Sequence, residues 1–115
     1  MEKRYNKVSG MYGESAACKY LEKHKYKILE KNYKTQIGEI DLIARQKKAL
    51  VFVEVKRRTT LAFGRPSEAV NVQKQAKIRR VAEEYLIRNK LLGCEIRFDV
   101  IEIVDNEINH IQNAF

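Results

Sequence analysis

Apolar and polar residues alternate with a period of two through GEIDLIA and again through VFVEVK. Successive side chains of a strand point to opposite faces, so each run reads as a strand. In the first, Ile40, Leu42 and Ala44 share one face, and Glu39, Asp41 and Ile43 share the other. In the second, Val51, Val53 and Val55 lie opposite Phe52, Glu54 and Lys56. The polar segment between the runs is short enough only for a tight turn. A turn over residues 46–49 pairs Arg45 with Leu50, which sets Asp41 opposite Glu54 and Glu39 opposite Lys56. A slip of two residues would keep Glu39, Asp41, Glu54 and Lys56 on one face, whereas a slip of one would not, and the all-aliphatic faces argue against the latter.

The rest of the chain supplies the partners of this hairpin. Residues 9–24 read as a helix with Ser9 as N-cap, and Glu14, Ala17, Cys18 and Leu21 form its i, i+3, i+4, i+7 stripe. An acid on that stripe is unexpected. YKILEKNYK, residues 26–34, reads as a first strand before the hairpin. RRTTLAFGRP then reads as a basic loop punctuated by Gly64 and Pro66. Residues 67–89 read as a long helix with the stripe Ile78, Val81, Ala82, Tyr85 and Leu86, closed by Asn89 and then Gly93. CEIRFDVIEIV, residues 94–104, is apolar at both parities, which suits a strand covered on both faces. The tail from Asp105 to Phe115 carries no clear signal. The order α-β-β-β-α-β predicts a single α/β domain over 1–115, a mixed sheet flanked by helices. The last strand is expected to return parallel to a hairpin strand through a right-handed crossover.

The candidate chemistry lies on the hairpin. Directly opposed residues of paired strands lie about 5 Å apart. Two carboxylates at that distance repel by roughly 3 kcal/mol at an effective dielectric near 20. A hard cation removes that cost, because Mg²⁺ or Mn²⁺ binds through one or two carboxylates plus a substrate phosphate. Lys56 would then stand where it can orient water or stabilise charge on phosphorus. A solvated face with ordinary ion pairs, such as Glu39 with Lys56, accounts for the spacing equally well.

Charge shifts the balance toward a polyanion. The chain of 115 residues carries 23 Lys and Arg against 15 Asp and Glu, a net charge of +8. This favours nucleic acid first and a membrane surface or acidic protein second. Lys56, Arg57, Arg58 and Arg65 continue directly from the hairpin site, and Lys74, Lys77, Arg79 and Arg80 form a second cluster. No apolar run approaches the ~20 residues needed to span a membrane. The N-terminus MEKRYNKVSGMYG has no signal-like apolar core, so a cytoplasmic protein is expected. Cys18 and Cys94 read as reduced, packed cysteines, and His24 and His110 as surface residues. A GxxxxGK[ST] phosphate loop is absent, which disfavours an NTPase.

The element order and the spacing Asp41, then Glu54-x-Lys56, resemble the restriction-endonuclease-like PD-(D/E)xK nuclease superfamily. More closely, the chain resembles the YraN family of small bacterial proteins, itself similar to archaeal Holliday-junction resolvases. The resemblance rests on GESAACKYLEKHKYKILEKNYK, GEIDLIA, LVFVEVKRR, GRPSEAV, KQAKI and RFDVIEI, in order from Gly13 to Ile103. It implies a restriction-endonuclease-like αβββαβ core. It implies Asp41 and Glu54 as metal ligands, Lys56 as the catalytic lysine, and Glu14 as the helical acid that completes the metal site directly or through water. Gln75 matches a polar residue of the second helix that faces the site in related nucleases, with Gln73 and Lys74 competing for that role. Ile40 replaces the superfamily's nominal proline.

The reading that follows is a Mg²⁺- or Mn²⁺-dependent endonuclease that hydrolyses phosphodiester bonds. Its expected partner is DNA in preference to RNA, including branched or structured DNA, with a homodimer left open and no membrane association. Arg57, Arg58, Arg65, Lys74, Gln75 and Lys77 are the expected nucleic-acid contacts. Two alternatives stand beside it: a non-catalytic nucleic-acid-binding module of the same fold, and a basic assembly factor with an acidic protein partner.

Overall fold

The computed structural model describes residues 2–58 and 70–115, with side chains over 13–57 and 70–115. The basic loop with Gly64, Arg65 and Pro66 lies outside the described residues, as does the side chain of Arg58. The elements are α1 (Glu2–Lys23), β1 (Lys27–Lys34), β2 (Glu39–Gln46), β3 (Ala49–Arg58), α2 (Val72–Arg88), β4 (Glu95–Val104) and β5 (Glu107–Ile111). The expected αβββαβ core is present, with β5 added.

The five strands form one sheet in the order β1-β2-β3-β4-β5. β3 and β4 are parallel, and the other neighbouring pairs are antiparallel. The hairpin register is the one that the tight turn over residues 46–49 predicts, with Arg45 opposite Leu50. Alternation on β3 holds throughout the core. Ala49, Val51 and Val53 pack with Ala17, Cys18 and Leu21 of α1, while Leu50 and Phe52 pack with Ile78, Val81 and Tyr85 of α2. The sheet is thus sandwiched between the two helices. Both faces of β4 are buried, as its doubly apolar sequence requires: Phe98 and Val100 meet the α2 cluster, and Ile101 and Ile103 the α1 cluster.

Three expectations are corrected. Ser9 does not cap α1, because the helix begins at Glu2. Residues 2–8 contain no proline or glycine to stop a helix and are rich in residues that favour one. Ile40 leaves the face of Leu42 and Ala44 and packs toward α2. It lies beyond the last β2–β3 pair and turns with its β1 partner Tyr33. The tail is not featureless: β5 folds back on β4 through Asp105 and Asn106, with φ of 49° and 70°. Two consecutive left-handed residues are the signature of a type I′ hairpin turn, and Asp and Asn tolerate that region best after glycine.

Candidate metal and phosphodiester site

Two local features build the site. The β2–β3 ladder runs from Gln46↔Ala49 to Leu42↔Val53. Just beyond it, the Asp41 carboxylate reaches across, and its Oδ2 accepts the Val55 N–H at 2.8 Å. The second feature is the start of α2. Asn71 is its N-cap, and its Oδ1 accepts the Lys74 N–H at 2.8 Å. This fixes Lys74 in the first turn, above the acids. Asp41, Glu54, Lys56, Lys74 and Lys77 then line one cavity of about 270 Å³, with Glu39 at its rim.

The electrostatics are those of two carboxyls forced together. Asp41 is pushed up to about 8, first by burial and then by its hydrogen bond with Glu54 and the charge of Glu54; the Val55 N–H pulls the other way. Burial also pushes Glu54 up, but Asp41 and the Lys74 ammonium outweigh it and leave Glu54 below its ordinary range. Below about pH 8 the pair therefore keeps one shared proton. The Lys74 ammonium stands 2.6 Å from Glu54 Oε2. This buried oxygen thus has a close ion-pair partner but no donor that meets hydrogen-bond geometry. Lys56 is pushed down by burial and by adjacent Lys74, whereas Lys74 is raised because its contacts with Glu54 outweigh burial.

The donor chemistry suits a hard divalent cation. Buried Glu54, with one oxygen lacking a directed hydrogen bond, and partly buried Asp41 line the same cavity. Among the described residues no three His, Cys, Asp or Glu side chains stand close enough to form a three-ligand set.

Not every expected residue arrives. Asp41, Glu54 and Lys56 come together as the parity requires. Glu14 does not enter their cavity. It lines a neighbouring groove with Cys18, Lys19 and Lys31, and its charge contributes the smallest part of the Asp41 shift. Gln75 turns away, and its amide donates to the Val70 carbonyl at 2.9 Å. Of the three competing helix residues it is Lys74 that enters the cavity. Arg57 follows the parity of Val53 and Val55, and its stem runs beside Gly13 of α1, on the far face from Lys56. Glu39 pairs with Lys34 at 3.9 Å, not with Lys56.

Two buried acids of β4 were missed. Glu102, 5% exposed, is the register partner of Lys56. Asp99, fully buried, accepts from Arg97 Nε and Nη2, each at 2.9 Å, and lies 2.6 Å from His110 Nε2. His110 is therefore not a surface residue, since its side chain is only 6% exposed. The available signal was the apolar run FDVIEIV, in which both acids sit at positions the neighbouring residues mark as buried.

Among the described residues no helix is long and apolar enough to cross a membrane. A UPF0102 protein of Caldanaerobacter subterraneus subsp. tengcongensis is 49% identical over 122 residues, covering the whole of both chains. A UPF0102 protein of Clostridioides difficile is 50% identical over 112 residues, covering 96% of this chain and 98% of its own. One from Alkaliphilus oremlandii is 50% identical over 116 residues, covering 96% and 99%. The family model described as uncharacterised protein family UPF0102 matches residues 13–103, a span that contains every element of the cavity, and the chain belongs to this family, also called YraN.

Proposed function

We propose that the chain is a metal-dependent nuclease that hydrolyses phosphodiester bonds, with DNA as its preferred substrate. The observation that carries this reading is the pairing of partly buried Asp41 with buried Glu54, in a cavity shared with Lys56 and Lys74. Holding two carboxyls so close that one stays protonated up to about 8 is costly in a purely structural role. Asp41 and Glu54 would hold Mg²⁺ or Mn²⁺, which when bound supplies charge neutralisation at the phosphate and activation of water. Lys56 lies on the same face, one strand position past Val55, and orients the attacking water or stabilises the charge that develops on phosphorus. Lys77, exposed at the rim, adds attraction for the phosphate backbone.

The reading is tested with purified protein and Mn²⁺ or Mg²⁺ against linear, flapped and four-way DNAs. Cleavage is expected with at least one of them. Asp41→Asn and Glu54→Gln, nearly isosteric, should lose it while retaining the fold by circular dichroism. Absence of cleavage by wild type on every substrate and with both metals would refute it. The second reading, a binding module without catalysis, draws on the Lys74–Glu54 contact, which already offsets one of the acids. It predicts DNA binding that is indifferent to chelator.

A further inference from the structure

We propose that Lys74 is a resident counter-cation of the acid pair, one that a divalent metal displaces and that then turns onto the substrate phosphate. The inference rests on the nuclease reading of the same cavity and adds a coupling between metal and substrate. Its first support is geometric. The ammonium stands 2.6 Å from Glu54 Oε2, and the Lys74 side chain is 41% exposed where that of Glu54 is 6% exposed. The cation therefore lies on the solvent side of a buried acid and can leave without opening the core. Its backbone stays in place meanwhile, because the Lys74 N–H is held by the Asn71 cap.

The second support is a local rule that this residue breaks. Lys74 occupies the third position of α2, three residues after its N-cap, and the first turn of the helix contains no acid. A glutamate is favoured there, since it can reach back to the cap and its charge suits the positive end of the helix dipole. A lysine is the wrong sign for both. Residues that contradict local preference without local gain concentrate at functional sites. Here the gain is in the cavity, where Lys74 faces Glu54 and stands within hydrogen-bonding reach of Lys56.

The consequence follows from charge alone. A divalent cation taking the Glu54 oxygen repels both ammonium groups. The Lys74 ammonium is the one in contact with Glu54, so it is the group the metal displaces, and a phosphate lying across the cavity offers it a new anionic partner. Metal and phosphate binding then favour each other by the same factor, as linkage requires.

Two measurements test this without cleavage: Mn²⁺ affinity by titration calorimetry, and DNA affinity by fluorescence anisotropy with Ca²⁺ or with chelator. In wild type, Ca²⁺ should strengthen DNA binding by about tenfold. Lys74→Met should bind Mn²⁺ at least about tenfold more tightly than wild type, having lost a competing charge, and should lose the Ca²⁺ effect on DNA. Lys74→Arg, which keeps the charge, should retain both wild-type properties in direction. An unchanged Mn²⁺ affinity in Lys74→Met, or a Ca²⁺ effect that survives there, overturns the inference while leaving the nuclease reading intact. Absence of Mn²⁺ binding in wild type, or binding that survives in Asp41→Asn, removes the metal site itself.

Discussion

Asp99 is a buried carboxyl and Asp41 a partly buried one, and their surroundings drive them in opposite directions. Asp41 meets another acid and is held protonated up to about 8. The folded protein keeps a proton there that the unfolded chain has released above about pH 4. Stability of the metal-free protein should therefore fall as pH rises from about 4 to 8 and level off beyond. Asp41→Asn should flatten that slope and be the more stable protein at pH 9. Urea unfolding at pH 5, 7 and 9 in chelator checks this, and parallel wild-type and variant profiles would contradict it. Burial pushes Asp99 up as well, but the hydrogen bonds from His110 and Arg97 and the Arg97 charge hold it below the usual range. Its contribution is present above the unfolded-state value near 4 and is lost as pH falls through the lower native value. Asp99→Asn should cost roughly 3 kcal/mol at pH 7, since it leaves Arg97 and His110 without their shared partner. It should also shallow the acid limb below about pH 4, readable by circular dichroism from pH 2 to 6. Asp41 was legible in the sequence because its partner lies in the adjacent strand across a two-residue turn. Asp99 was not, because its partner His110 sits on a strand the sequence did not reveal.

At the level of elements, legibility tracked how strongly each one buries a face. The α2 stripe Ile78, Val81, Ala82, Tyr85 and Leu86 is buried residue for residue, because a helix packed on a sheet must present a 3.6-residue apolar period. The faces of the β2–β3 hairpin were readable for the parallel reason with a period of two, and its register from the tight turn. β5 hid because it is an edge strand whose burial is partial along its length. EINHI has too few apolar residues to show alternation, and its signal lay in the Asp105–Asn106 turn. That turn carries a prediction. Asn106→Gly should stabilise the protein by a few tenths of a kcal/mol, since glycine adopts positive φ without strain. Asn106→Val should destabilise it, a branched side chain being strained there. Thermal melts of the two variants should move in opposite directions, and a lower midpoint for Asn106→Gly would argue against the type I′ assignment. α2 begins at Val72, and the cap signal that marks this start, Asn71, was passed over in the sequence. Asn71→Ala should cost about 1 kcal/mol by removing the acceptor of the Lys74 N–H, measurable as a lower urea midpoint at unchanged slope.

The whole molecule sets how a polyanion approaches. The net charge of +8 was visible at once, but not its division between faces, which depends on strand parity and on which helix covers which side. Lys56, Lys74 and Lys77 belong to the α2 side with the acids. Arg57, expected from sequence to work with them, lies against α1 instead. A duplex or junction seated over the cavity would meet the lysines and miss Arg57. Each phosphate contact releases condensed counterions, so the logarithm of the binding constant falls linearly with the logarithm of salt, by about 0.9 per contact on duplex DNA. Lys77→Ala should therefore lower the slope by about one and weaken all sequences alike. Arg57→Ala should leave the slope close to that of wild type. The measurement is a salt series of DNA anisotropy titrations in chelator for the three proteins, which keeps cleavage out of the readout. A drop for Arg57→Ala with none for Lys77→Ala would place nucleic acid on the α1 side and separate binding from the acid cavity. No DNA binding at low salt by any of them would leave the basic surface to an acidic protein partner.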